Sequence, residues 1–141
     1  LAAVGVLIFL FVISLNSLPH AIINSSALPV NAVKFIQQHH ISGRVFNFID
    51  DGGYLEWALW PDTRVFIDSR ADVYDKKVIW DFVNITRGNN WEQLVKAYSI
   101  NYFLVPYADG SRASVSLSKI LAREKWPVVY LDKRYAISVH P

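Results

Sequence analysis

The 141-residue chain contains no cysteine, no methionine, and no Asp, Glu, Lys or Arg before Lys34. Without cysteine there are no disulfides, no thiol nucleophiles and no thiolate-ligated zinc. The lack of methionine, position 1 included, is what a piece of a longer chain shows. Charge is scarce and nearly balanced: 14 basic against 12 acidic side chains, formally +2, with 18% of residues charged. That balance excludes a polybasic nucleic-acid arm and an acidic tail. With 52% hydrophobic residues, the chain is too apolar to remain a disordered, solvated segment. Neither GxGxxG nor GxxxxGK[ST] occurs, and no serine stands in a G-x-S-x-G context, so the dinucleotide, P-loop and hydrolase-elbow signatures are missing. No internal repeat or low-complexity tract is present.

What is there divides into two materials. Leu1 to Leu15 reads LAAVGVLIFLFVISL, apolar on every side with Gly5 and Ser14 as small interruptions, which rules out the one-sided stripe of an amphipathic surface helix. As a helix this run spans roughly 22 Å, short of a hydrocarbon core of about 30 Å. The segment is therefore expected to be the end of a transmembrane helix truncated at its start, over residues 1–18. A signal-like segment cleaved near Ser25-Ser26-Ala27 and a buried core helix are the competing readings. No Lys or Arg lies between the end of this run and Lys34, which places the following domain on the extracytoplasmic side of a cell membrane. Residues 19–29, within a stretch rich in Asn, Ser and Pro, read as a linker, and residues 30–141 as one α/β domain.

In that domain the pattern predicts a helix over 30–41 closed by Ser42-Gly43, a strand over 44–49, and a turn at Asp50-Asp51-Gly52-Gly53 leading into a short helix over 54–60. A strand over 64–68, helices over 74–83 and 91–98, a strand over 102–106, a helix over 115–124 and strands over 128–131 and 135–139 follow. Strands separated by helices argue for a mainly parallel sheet flanked by helices, and the short Asp132-Lys133-Arg134 link for an antiparallel C-terminal hairpin at one edge.

Candidate chemistry concentrates at two predicted strand ends, Asp50-Asp51-Gly52-Gly53-Tyr54 and Asp68-Ser69-Arg70-Ala71-Asp72. In an open parallel sheet such ends border the ligand crevice, so both groups are expected to face one pocket. The plainer alternative makes Asp51 the cap of a helix starting near Gly53 and pairs Asp68 with Arg70 or Arg64. A phosphate cradle at Gly52-Gly53 is opposed by the adjacent carboxylates. A divalent cation held by Asp50, Asp51, Asp68 and Asp72 is chemically reasonable, since hard cations take carboxylate oxygens; no other cofactor is indicated. His39 and His40 are adjacent, about 100° apart on a helix, and cannot chelate together. Trp57, Trp60, Trp80, Trp91 and Trp126 suit sugar stacking or a membrane interface as well, with the core as the expected default.

The stretch VFNFIDDGGYLEWALWPDTRVFIDSRADVY, from Val45 to Tyr74, resembles a segment of bacterial polytopic membrane proteins of the GT-C glycosyltransferase class. The matching positions are Gly52, Gly53, Tyr54, Leu55, Pro61, Ile67, Asp68 and Arg70, and the likeness continues more loosely through Trp91, Tyr98 and Trp126 to Asp132. A remoter similarity is to the soluble domain of the oligosaccharyltransferase catalytic subunit. Asp51 and Gly53 match the Asp and Gly of its Trp-Trp-Asp-Tyr-Gly motif, but Ile49, Asp50 and Gly52 do not match, so sequon recognition does not carry over. The resemblance implies transfer of a sugar from a polyprenyl-phosphate carrier to an unknown acceptor in the cell envelope. It also implies an essential carboxylate in an early outer loop of a membrane bundle, a loop not in this chain. On that reading this chain is inactive alone, partners the N-terminal transmembrane bundle and the lipid-linked sugar, and presents Asp51, Gly52, Gly53, Tyr54, Asp68 and Arg70 as its functional face. A non-enzymatic membrane-anchored scaffold and an exported binding module are the alternatives.

Overall fold

The computed structural model describes residues 27–107 and 110–141, so the expected transmembrane segment 1–18 and linker residues 19–26 lie outside the described residues. Among the described residues no helix is long and apolar enough to cross a membrane. In chain order they form α1 (Val30–Gln38), β1 (Gly43–Phe46), α2 (Ile49–Leu59), β2 (Thr63–Val65), a 3-10 turn (Ala71–Val73), α3 (Lys76–Arg87), α4 (Trp91–Ala97), β3 (Ile100–Val105), α5 (Arg112–Arg123), β4 (Val128–Leu131) and β5 (Ala136–Val139).

The strands make one five-stranded sheet in the order β2-β1-β3-β5-β4. β1 pairs parallel with β2 and β3, and β5 pairs antiparallel with β3 and β4. The sheet is thus mixed, where a mainly parallel one was expected. The cause is β5, which folds back from β4 through a short turn and inserts between β4 and β3. The antiparallel C-terminal hairpin is present, with β4 as the sheet edge.

Strand alternation sorts the core into two layers. Phe46, Phe103 and Val105 face one side with Phe66, Ile67, Ile85, Trp91 and Leu117, beneath α3, α4 and α5. Val45, Tyr102 and Leu104 face the other with Ala32, Val33, Ile36, Leu55 and Ile137, beneath α1 and α2. Both faces of β3 are covered, which is why INYFLV reads as a nearly continuous apolar run rather than an alternating one. Each such side chain taken fully out of water contributes roughly 1.5–3 kcal/mol.

Local chemistry sets the helix ends. Asp75 caps α3 by accepting from the Lys77 N–H at 2.9 Å, and Gly88 closes it in the left-handed region at φ 76°. Ser111 caps α5, accepting from the Ser114 N–H at 3.1 Å. Of the five tryptophans, Trp91 and Trp126 are core residues, each 6% exposed. Trp57, Trp60 and Trp80 are 74%, 64% and 65% exposed, against the expectation that all five are buried. Trp57 and Trp80 ride on the solvent faces of α2 and α3, whose inner faces are filled by Leu55 and Leu59 and by Asp81 and Ile85. Trp60 follows the last turn of α2.

Candidate functional site

β1, β2 and β3 are parallel, so their carboxyl ends lie together, and the antiparallel pairing of Val105 with Ala136 brings the β4–β5 turn to the same end. Here β1 stops at Phe46, three residues short of the expected strand, because Asn47 turns its buried side chain to a different task. The Asn47 amide donates to the carbonyls of Phe48 at 2.8 Å and Ile67 at 2.7 Å, and its oxygen accepts from the Phe66 N–H at 2.9 Å. One amide thereby locks the chain beyond β1 to the chain beyond β2.

Asp50, Asp51, Gly52 and Gly53 are not a turn before a helix; they are the opening residues of α2, whose N-cap is Phe48 with no side-chain cap bond. The two aspartates suit the positive end of the helix dipole. A helix this early removes both the glycine phosphate cradle and the Asp51 cap. Gly52 explains the glycine at this place: a Cβ there would lie 2.1 Å from the Ile67 carbonyl oxygen and 2.6 Å from Asp68 Cα. Only a residue without a side chain lets α2 rest on the extension of β2. Gly53, by contrast, is exposed and has open space around it.

That contact brings the two polar groups together. Asp68 is buried and accepts from the Arg70 backbone N–H and from Arg70 Nε, both at 2.9 Å, while its own N–H donates to the Tyr74 hydroxyl at 3.1 Å. Arg70 reaches onward to Glu56 of α2, with Nη2 to Oε2 at 3.0 Å. Hydrogen bonding from Arg70 holds the Asp68 carboxyl below its ordinary 3.8, against the opposing effect of burial. The pairing of Asp68 with Arg70 rather than Arg64 settles that alternative.

Asp51 turns elsewhere. It is buried on the α1 side of the sheet and accepts from the Tyr135 hydroxyl at 2.8 Å. Burial, followed by the Asp51 charge, pushes the Tyr135 phenol well above its ordinary 10.0. Tyr54 is half-buried, its phenol raised by burial, and its ring lies 5.9 Å from that of Trp57. Of the six residues expected to form one face, Gly52 rests against Asp68, while the two carboxylates take different partners, Asp51 with Tyr135 and Asp68 with Arg70. Asp50 and Asp72 are exposed, and among the described residues no group of three or more His, Asp or Glu is gathered to hold a metal ion.

Sequence reasoning missed Asn47 and Tyr135. Asn47 had a signal, an amide inside the apolar run Val45-Phe46-Asn47-Phe48-Ile49. Tyr135 had none, being 84 residues from its partner. A further polar cluster, also missed, lies under α3, where buried Asp81 accepts from the Tyr98 hydroxyl at 2.6 Å and pairs with Lys77.

Chemically, this end of the sheet offers a rigid, hydrogen-bonded rim in which Asp51 and Asp68 already accept from groups of the fold. Comparison of the chain with family models, with characterised proteins and with solved structures finds no match.

Proposed function

We propose that the chain is the C-terminal, extracytoplasmic part of a GT-C-like membrane glycosyltransferase that draws on a polyprenyl-phosphate-linked sugar. Residues 1–18 end a transmembrane helix of the upstream bundle, and the α/β domain shapes the acceptor side without supplying the catalytic carboxylate. One observation carries this reading. The rim formed by Asp51, Gly52, Asp68 and Arg70 shares an end of the sheet with Ala27, whose carbonyl oxygen lies 3.2 Å from the Tyr135 hydroxyl that donates its proton to Asp51. On this reading the rim belongs to the membrane-facing side of the domain.

A second reading, a scaffold that only docks on the bundle, is favoured by the internal engagement of both buried carboxylates and by the exposure of Trp57 and Trp60. The full-length protein in membranes separates the two. Asp51→Ala and Arg70→Ala reduce sugar transfer while the domain stays folded if the rim serves the acceptor. Unchanged transfer in both variants, or unfolding in both, rejects that role.

A further inference from the structure

The hairpin turn beside this rim carries a feature that the proposed transfer does not use. A concavity of about 800 Å³ is lined by Leu28 and Val30 from the start of the described chain, Lys34 from α1, and Asp132, Lys133 and Arg134 from the β4–β5 turn. Three cations thus meet one carboxylate. That carboxylate is committed to the turn itself: Asp132 Oδ1 accepts from the backbone N–H groups of Arg134 and Tyr135, both at 2.8 Å, and Oδ2 from the Tyr130 hydroxyl. Lys34, Lys133 and Arg134 are exposed, and none has an ion pair among the described residues. The Arg134 guanidinium lies over the Tyr135 ring, 5.7 Å from its centre, which holds it in place.

We infer that this cluster is a contact for anionic lipid headgroups, which seats the domain on the bilayer with its carboxyl-end rim facing the membrane. Charge and position both select that occupant. The phosphates of an anionic bilayer complement a cluster with an excess of positive charge, and the apolar Leu28 and Val30 beside the cations suit a headgroup and acyl boundary rather than bulk water. The cluster also adjoins Ala27, the residue through which the domain is reached from the apolar run Leu1 to Leu15. The inference takes from the preceding proposal only the membrane insertion of residues 1–18, not the transfer of a sugar.

The test uses the whole 141-residue chain and measures its partition onto phosphatidylcholine vesicles and onto vesicles containing phosphatidylglycerol, at low ionic strength. Three cations at an anionic surface should strengthen partition roughly a hundredfold on phosphatidylglycerol. The combined variant Lys34→Ala, Lys133→Ala, Arg134→Ala should lose that preference, and added salt should weaken it in the unaltered chain. A charge-matched variant elsewhere, Lys76→Ala, Lys96→Ala, Lys119→Ala, should keep it. Equal partition onto both vesicle types overturns the headgroup contact while leaving the membrane segment standing. Binding to phosphatidylglycerol alone supports the contact and removes the membrane segment. The contact also fails if the matched variant loses as much, or if inorganic phosphate at equal ionic strength abolishes the preference, which would make the ligand a free anion.

Discussion

The Tyr135 hydroxyl donates to the buried Asp51 carboxylate at 2.8 Å and so joins the C-terminal hairpin to the first turn of α2. Tyr135→Phe keeps the ring and deletes this bond, together with the longer 3.2 Å contact of the same hydroxyl with the Ala27 carbonyl. A lost hydrogen bond to a buried charged group costs about 2 kcal/mol, to be read as a lower urea midpoint at neutral pH. The sign with pH follows from the raised phenol. Its folded value lies above the ordinary 10.0, so the stabilisation is complete below that value and is lost as pH rises through the folded one. The gap between wild type and Tyr135→Phe therefore narrows in strong alkali.

The two glycines of α2 respond in opposite directions to the same change. Gly52→Ala drives a Cβ into the backbone of Ile67 and Asp68 and destabilises by about 3 kcal/mol or more. Gly53→Ala meets open space in a helix and stabilises by about 0.5–1 kcal/mol. Thermal unfolding of the two variants checks both. A similar, mild effect from both would show that α2 does not rest on the β2 extension.

Arg70→Ala alters the acid limb of stability. Arg70 holds Asp68 below its ordinary 3.8, so the pair stabilises the fold above that value and the contribution disappears as pH falls through the lowered one. Without the Arg70 guanidinium the largest lowering influence is gone, and burial is opposed only by the backbone N–H at position 70 and by Tyr74. The difference between wild type and Arg70→Ala should be widest at neutral pH and shrink on acidification, as measured by denaturant unfolding across that range. A gap that is constant with pH would show that the pairing contributes nothing to the Asp68 charge.

Element identity and order were legible in the sequence because periodicity is a local property. Each of the ten helices and strands expected within residues 30–141 has its counterpart, and β4 matches its expected residues, Val128 to Leu131. The misplaced boundary at α2 has a definite cause. Gly52-Gly53 reads as a turn to any local rule, whereas the close approach of α2 to Ile67 is a tertiary demand. Sheet order was likewise hidden, since nothing local says that β5 inserts beside β3. At the site, the pairing of Asp68 with Arg70, two residues apart, was within reach of sequence reasoning, but the Asp51–Tyr135 bond was not. The exposure of Trp57, Trp60 and Trp80 was missed because hydrophobicity alone does not distinguish a core aromatic from a surface one.

The contact of the Tyr135 hydroxyl with the Ala27 carbonyl has a mechanical side. Tension arriving along the polypeptide from residue 26 meets the fold next to β5, a strand flanked by β3 and β4, and through Asp51 also meets α2. Such a pull reaches α1 first along the covalent chain, and the Tyr135 contact adds a weaker second path to β5 and α2. The amino-terminal entry and the carboxyl-terminal hairpin are thereby neighbours in the fold, though more than a hundred residues apart in the chain.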